Sequence, residues 1–192
     1  MPILGIIASQ ISGHLTPPDT GAMFPLGMVQ VGSAGAANVT FSSIPSTYKH
    51  LQIRGIARTN RSLTRDALKV TVNGNTDSSY GTHNLFGNGT SVTAQGYGSE
   101  ASMAFNDVAG NTATASVFGV MIIDILDYAS TTKVKTLRGL GGYDNNGSGA
   151  VGFNSGAYFG NTNALTSIKL ESYGSTAFEQ YTTFALYGIK GA

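Results

Sequence analysis

Residues 47–58 read TYKHLQIRGIAR, and apolar and polar side chains alternate along the stretch. One face of an extended chain here would carry Leu51, Ile53, Gly55 and Ala57. The opposite face would carry Gln52, Arg54 and Arg58. Because successive side chains of a strand point to opposite faces, this period of two predicts a half-buried β-strand.

The same pattern predicts strands along the rest of the chain. Five further stretches are clear: Ala67–Asn73, Val117–Leu126, Lys133–Tyr143, Leu165–Tyr173 and Thr182–Lys190. Six are weaker: Met28–Ser33, Asn38–Ser42, Thr82–Phe86, Ser91–Gly96, Ala101–Phe105 and Ala150–Phe159. Turn residues separate them, as at Asn73-Gly74. Val117–Leu126 is apolar on both faces, which predicts a central strand covered on both sides.

No stretch shows a long helical period, so we predict an all-β fold. Strands joined without helices favour an antiparallel β-sandwich, here with jelly-roll-like connections. The sequence Pro17-Pro-Asp-Thr-Gly21 breaks the chain sharply. We therefore divide the chain into an N-terminal arm and hinge, residues 1–21, and a single sandwich domain, residues 22–192.

The N-terminal arm is apolar but fits neither a secretion signal nor a membrane span. It begins without Lys or Arg, and polar residues from Ser9 onward interrupt it before the ~18 apolar residues that a span needs. Two interpretations stay open: the segment is a docking arm, or it is the first strand of the core. In the first, the docking residues are Ile3, Leu4, Ile6, Ile7 and Ile11.

Composition narrows the class of protein. Charged residues make up 11% of the chain, against an average of about 25%, and there are 26 glycines. Low charge with abundant small polar residues is typical of extracellular or virion β-structure. The net charge of +1 predicts no nucleic-acid partner, and the absence of cysteine excludes disulfides and thiolate metal sites. We also predict no membrane partner.

Catalytic patterns are missing from the sequence. The three histidines, His14, His50 and His83, are scattered and match no zinc motif. Asp124 and Asp127 have an odd spacing, so on one strand they would point to opposite faces; we expect Asp124 to pair with a neighbouring strand and Asp127 to open a turn. We predict a non-enzymatic protein with no catalytic residue, metal or cofactor.

Glycines in RGLGGYD, residues 138–144, resemble a dinucleotide-binding loop only superficially. Turn residues rather than a helix follow them, at Asp144-Asn-Asn-Gly147. We therefore expect these glycines to mark a bulge or a close approach between sheets.

Two sets of residues are candidate contacts. Arg54, Arg58, Arg61 and Arg65 form a basic cluster that suits an anionic partner, or else a solvated surface. Aromatic residues in predicted loops suit contacts with a ligand or another subunit, or else fill the core. The candidates for such contacts are Tyr80, Tyr97 and Tyr158, whereas we expect Phe86 and Phe159 to be core residues.

Several phrases of the sequence resemble small virion structural proteins of tailed bacteriophages, especially phages of aquatic bacteria. They are FSSIPSTYKHLQIRG (41–55), IDILDYASTTK (123–133), RGLGGYD (138–144) and FALYGIK (184–190), together with the opening ILGIIAS (3–9). The resemblance runs in order over nearly the whole chain. It implies a virion component of decoration or fibre type without an enzymatic site.

Three functions stay open at this point. The first is a capsid decoration or cement protein on the virion surface, held to the major capsid or tail protein by its N-terminal arm. The second is a receptor-binding module of a tail or head fibre that contacts host glycans. The third is an enzyme such as a depolymerase, which the strand pattern disfavours because it brings no carboxylates together. We expect a homotrimer, with a dimer as the alternative.

Overall fold

The computed structural model describes residues 22–191, except for the side chain of Asn106. These residues form twelve β-strands joined by turns and loops, and they contain no helix. The strands are β1 (Met23–Gln30), β2 (Asn38–Phe41), β3 (His50–Ala57), β4 (Arg65–Val72), β5 (Tyr80–Gly87), β6 (Val92–Glu100), β7 (Met103–Ala109), β8 (Gly119–Leu126), β9 (Lys135–Asp144), β10 (Gly149–Tyr158), β11 (Ile168–Ser172) and β12 (Thr183–Ile189).

The strands form two antiparallel sheets that pack together. The larger sheet has the order β1-β12-β3-β8-β9-β10-β5-β6, and the smaller has the order β2-β11-β4-β7. Every pair of neighbouring strands is antiparallel. The predicted all-β, antiparallel sandwich is therefore confirmed, whereas the jelly-roll-like connectivity stays a prediction.

Each of the twelve predicted strands overlaps one strand of the structure, and the bounds differ most for β1. That strand begins at Met23, five residues before the predicted start at Met28. The sequence does not indicate this start, because the pairing with β12 shifts register between Pro25 and Gly27 and the alternation of side chains is interrupted there. The position tolerates proline because β1 is an edge strand.

A single hydrophobic core lies between the sheets. The larger sheet contributes alternate residues such as Leu51, Ile53 and Ile123, and the smaller sheet contributes Leu68 and Val70, all nearly or completely buried. The period of two in the sequence thus marks the side of each strand that faces the other sheet. We call that side of the larger sheet its inner face and the opposite side its outer face.

Gly139 marks a close approach between the two sheets, as the glycines of residues 138–144 predicted. A Cβ atom at this position of β9 would lie 2.5 Å from Cδ1 of Phe105, which comes from β7 in the smaller sheet. No side chain fits there without moving the phenylalanine ring. The glycine is thus required by packing.

Strand β8 is central, but the prediction that it is covered on both sides is wrong for the described chain. It lies between β3 and β9 in the larger sheet, and its inner residues Met121, Ile123 and Ile125 are buried. Its outer residues Val120 and Ile122 are 58% and 40% exposed. Nothing in residues 22–191 covers that side, although Val120 and Ile122 are as apolar as core residues.

Candidate functional site

An apolar surface crosses the outer face of the larger sheet. Cross-strand pairing places Ile122 beside Leu140, Leu140 beside Phe153, and Phe153 beside Leu85. A parallel row lies one step further along the strands. We call the two rows together the outer patch: Ile122, Leu140, Phe153, Leu85, Ile56, Val120, Val151 and Val92.

The outer patch is open to solvent in the isolated chain. Its eight side chains are between 40% and 74% exposed. Part of it forms a shallow depression of about 890 Å³, which Val120, Leu140 and Val151 line together with glycines. The largest apolar patch on a monomeric protein is often a functional contact, which makes the outer patch a candidate contact site.

Charged groups beside the outer patch are linked in one hydrogen-bond network, in which Asp124 forms an ion pair with Arg138 and Arg54 bonds to an amide. Asp124 accepts hydrogen bonds from Nε2 of Gln52 at 2.7 Å and from Nε of Arg138 at 3.1 Å. The Nε of Arg54 donates to Oε1 of Gln52 at 2.8 Å. Asp124 therefore pairs with neighbouring strands, as the sequence predicted.

A second candidate site lies where the larger sheet extends past the smaller one. Strand β7 covers the inner residues Tyr80 to Asn84 of β5, whereas the inner face of β6 and the Phe86 end of β5 stay open and form one wall of a cleft of about 300 Å³. We call it the end cleft. One wall carries Asn84 and Phe86 of β5 with Gln95 and Tyr97 of β6, and the other carries Arg61, Leu63, Arg65, Asp107 and Tyr173.

The inner face becomes polar on the way to the end cleft. One row of paired residues begins with Ile53, Ile123 and Gly139 in the core. It continues through Asn154, Asn84 and Gln95. Nδ2 of Asn154 donates to Oδ1 of Asn84 at 2.7 Å, so the first buried amides of this row satisfy each other.

Asp66 is a structural carboxylate in the wall of the end cleft. Its side chain is completely buried. It accepts hydrogen bonds from Thr59, Ser172, Arg61 and the backbone N–H groups of Ala67 and Gly174. With its acceptor sites occupied, it fixes the loop that carries Arg61 against β4 and β11.

Asp107 also lines the end cleft but is poorly satisfied. Its side chain is 4% exposed, its nearest cation is Nη1 of Arg65 at 4.0 Å from Oδ1, and Oδ2 has no hydrogen-bond partner. Burial raises the pKa of Asp107 to about 6; Arg65 lowers this pKa, and the charge of Asp66 raises it further. Near neutral pH this carboxylate therefore lacks partners for its charged form.

The four arginines do not form one basic cluster, which corrects that expectation. Arg54 lies on the outer face, and Arg61 and Arg65 lie at the end cleft. Arg58 is 5% exposed; its Nε donates to Glu179 at 2.9 Å, and its other nitrogens donate to backbone carbonyls between residues 111 and 117. Strand β3 ends at Ala57, so the alternation that would place Arg58 beside Arg54 no longer applies.

Two of the three candidate tyrosines are core residues, which corrects the expectation that they are contacts. Tyr80 and Tyr158 are buried, and their ring centroids lie 4.7 Å apart. The Tyr80 hydroxyl donates to the carbonyl of Asn75 at 2.9 Å, and burial raises its pKa to about 12. Tyr97 is 41% exposed and lies at the end cleft.

The two phenylalanines that we expected in the core differ in exposure, and the predicted docking arm is not part of the described chain. Phe159 is 63% exposed, so placing it in the core is wrong, whereas Phe86 is partly buried, with Arg65 4.8 Å above its ring. The predicted docking residues Ile3, Leu4, Ile6, Ile7 and Ile11 lie outside the described residues.

Sequence reasoning did not find the end cleft, because its walls come from separate parts of the chain. It ended a predicted strand at Phe105, two residues before Asp107, and gave no role to Gln95 within the predicted strand Ser91–Gly96. The alternation within β5 and β6 shows which residues share a face. It does not show that the smaller sheet ends before it reaches them.

No family model, no curated protein and no solved structure matches this chain. Residues 22–191 contain no group of three or more acidic, histidine or cysteine side chains arranged to hold a metal ion. The same residues contain no helix long and apolar enough to cross a membrane. The outer patch and the end cleft are therefore the two surfaces that bear on function.

Proposed function

We propose that this chain is a non-enzymatic structural protein of a tailed-phage virion, acting as a capsid decoration or cement protein on the virion surface. The observation that carries the proposal is the outer patch, a flat apolar surface on a protein with little charge. Such a surface serves contact between proteins rather than chemistry on a small molecule.

The area of the outer face suits a stable protein–protein contact. With strands about 4.8 Å apart and about 3.3 Å per residue along each strand, the outer patch covers roughly 350 Å² and the whole outer face roughly 900 Å². A standard interface buries about 800 Å² on each partner. The outer face therefore has the size of one such interface, with the outer patch as its apolar centre.

We assign the outer face to contact between copies of this chain. Asp124 and Arg138 pair within the subunit, and Arg54 bonds to Gln52, so the face carries few free charges that would select a charged partner. Two copies can bury their apolar centres against each other without separating these pairs. A face-to-face contact of this kind closes a dimer, which is the alternative assembly; the homotrimer that we propose first requires the outer patch to meet a different surface of the next copy.

Sedimentation of the full chain at micromolar concentration tests the contact. We expect the wild type to be an oligomer and Leu140→Lys to be a folded monomer that melts cooperatively, at a temperature lower only by the lost association, since residue 140 is 55% exposed. The matched control is Leu63→Lys, because Leu63 is 50% exposed at the end cleft and should leave the oligomer intact. A monomeric wild type, or an oligomeric Leu140→Lys variant, would contradict the assignment.

The number of copies per virion tests the location. Hundreds of copies support a decoration protein that docks on the major capsid protein through the arm, and deletion of residues 1–16 should then abolish incorporation. A few to a few dozen copies would favour the second candidate, a receptor-binding module of a tail or head fibre that contacts host glycans. The end cleft, with the exposed ring of Tyr97, supports this second candidate.

A further inference from the structure

We propose that the end cleft binds a neutral carbohydrate, with one sugar unit held in the cleft and the rest of the glycan extending into solvent. The inference goes beyond the proposed function, since a saccharide site is compatible with a decoration protein and with a fibre module. The cleft volume of about 300 Å³ lies at the lower end of the range for small-molecule sites, which suits a single ring better than a large ligand.

Aromatic rings on both walls provide the surface on which a sugar ring packs. Tyr97 of β6 is 41% exposed, and Tyr173, which follows β11, is 51% exposed. A pyranose has apolar C–H faces, and amphipathic aromatic rings provide an apolar surface with a polar edge. Two such rings, Tyr97 and Tyr173, line the end cleft.

Amide groups between the rings supply oriented hydrogen bonds. The Tyr97 hydroxyl donates to Oε1 of Gln95 at 2.8 Å, which fixes the Gln95 side chain and leaves its amide N–H groups as donors. Asn84 stands opposite Gln95 in the same row. A few fixed polar groups in a partly apolar cleft are what a polyhydroxylated ligand requires for orientation.

Asp107 adds an acceptor that the protein itself leaves unused. Its side chain is 4% exposed, it lines the cleft, and its Oδ2 has no hydrogen-bond partner. A buried carboxylate oxygen without a donor is costly. Because Oδ2 has almost no accessible surface, a sugar hydroxyl can donate to it only after the Asp107 side chain turns toward the cleft, and that turn would give the oxygen the partner it lacks.

The charges of the cleft favour a neutral ligand over an anionic one. Nη1 of Arg61 is paired with Asp66 at 2.9 Å, and Arg65 lies over the Phe86 ring and near Asp107. Together with Glu100, the cleft contains three carboxylates for its two arginines. An anionic partner would meet net negative charge here, so we do not assign Arg61 and Arg65 to anion binding.

Saturation-transfer NMR on the full chain tests the site with defined probes. The neutral probes are hexasaccharides of glucose with β-1,3 linkage, of mannose, and of N-acetylglucosamine, and the anionic probe is a heparin hexasaccharide. We expect at least one neutral probe to bind with a dissociation constant of ~1 mM or below. Transfer from the protein to no neutral probe, or to heparin alone, would overturn the proposal.

Paired variants locate the binding. Tyr97→Ala and Gln95→Ala should each weaken binding of the neutral probe by about tenfold or more, which corresponds to about 1.4 kcal/mol. Tyr181→Ala, at a tyrosine that is 62% exposed and does not line the cleft, should bind like the wild type. Equal binding by the wild type and both cleft variants, with unchanged melting temperatures, would place the ligand elsewhere and refute the site.

The Leu140→Lys variant separates this proposal from the proposed function. It changes the outer face and leaves the cleft residues intact, so it should bind the neutral probe with wild-type affinity even if it no longer assembles. Loss of saccharide binding in this variant would show that the ligand is held at the outer face or between subunits, and would overturn the assignment to the cleft.

Discussion

Two neighbouring rows of residues cross the larger sheet on opposite faces, through the same strands. The outer row begins at Arg54 and becomes apolar through Ile122, Leu140 and Phe153 to Leu85. The inner row begins apolar at Ile53 and Ile123 and ends polar at Asn84 and Gln95. The two faces thus change polarity in opposite directions across one sheet.

The difference shows how one sheet provides two kinds of surface. Where the inner face is apolar, the smaller sheet covers it; where that cover ends, the residues become polar and line a cleft. The outer face has no cover in residues 22–191, yet its centre stays apolar. An apolar row without an internal cover indicates an external one, which is the basis for assigning the outer face to contact between copies.

Substitutions on the two sides of β8 test the comparison most strongly. Ile123→Ala removes a buried side chain from the core and should lower the free energy of unfolding by about 2–5 kcal/mol. Ile122→Ala changes the adjacent, 40% exposed residue and should cost about 0.5 kcal/mol or less in a monomeric background such as Leu140→Lys. Urea unfolding followed by fluorescence measures both, and equal losses would show that the two faces are equally covered.

Asp107, in the wall of the end cleft, predicts that the stability of the fold depends on pH. Its folded pKa of about 6 lies above the unfolded value of 3.8, so protonation stabilises the fold. The stabilisation is complete below about pH 4 and is lost as the pH rises through 6. At pH 7, Asp107→Asn should therefore be more stable than the wild type by up to roughly 3 kcal/mol.

Urea unfolding from pH 4 to 7 measures this effect. The wild-type stability should fall relative to Asp107→Asn across that interval. Asp127, whose pKa is lowered to about 2 by Lys133 and Lys49, loses its stabilising pairs only as the pH falls below about 4, outside this window. Parallel curves for the two proteins would show that Asp107 is not held in a desolvated site.

The close contact between the sheets predicts that a substitution of Gly139 lowers the stability of the fold, by less than the loss of a core side chain. Gly139→Ala forces the Phe105 ring to move, and this overpacking should cost about 1–3 kcal/mol. Gly98→Ala, where an added Cβ has no neighbour within 4 Å, is the control and should stay within about 0.5 kcal/mol of the wild type. A Gly139→Ala variant as stable as its control would mean that the sheets are less tightly packed at this point.

The smallest expected effect is that of salt on assembly. Because Asp124 and Arg138 pair within the subunit and the outer patch is apolar, the dissociation constant between copies should change less than about threefold between ~0.1 M and ~1 M salt. Sedimentation in the two buffers measures it. Dissociation at high salt would instead indicate that arginines such as Arg54 hold the subunits together.

The sequence by itself determined the strands and several local packing rules. Period-two alternation, apolar β-branched runs and the turn residues between them predicted all twelve strands, because these signals are local and do not depend on which strand is the partner. The sequence also predicted that Gly139 marks close packing and that Asp124 pairs across strands, since glycine in a strand and an isolated carboxylate have few other roles.

Only the tertiary structure decided which faces are covered. Alternation groups Ile122 with Val120 but does not show that the smaller sheet lies on the other side of β8. It also does not show that Arg58 turns inward once β3 ends, or that Tyr80 and Tyr158 meet in the core. The smaller sheet packs on the inner side and leaves the outer patch bare, and its smaller width opens the end cleft. Both depend on pairings between strands distant in sequence, which no local pattern encodes.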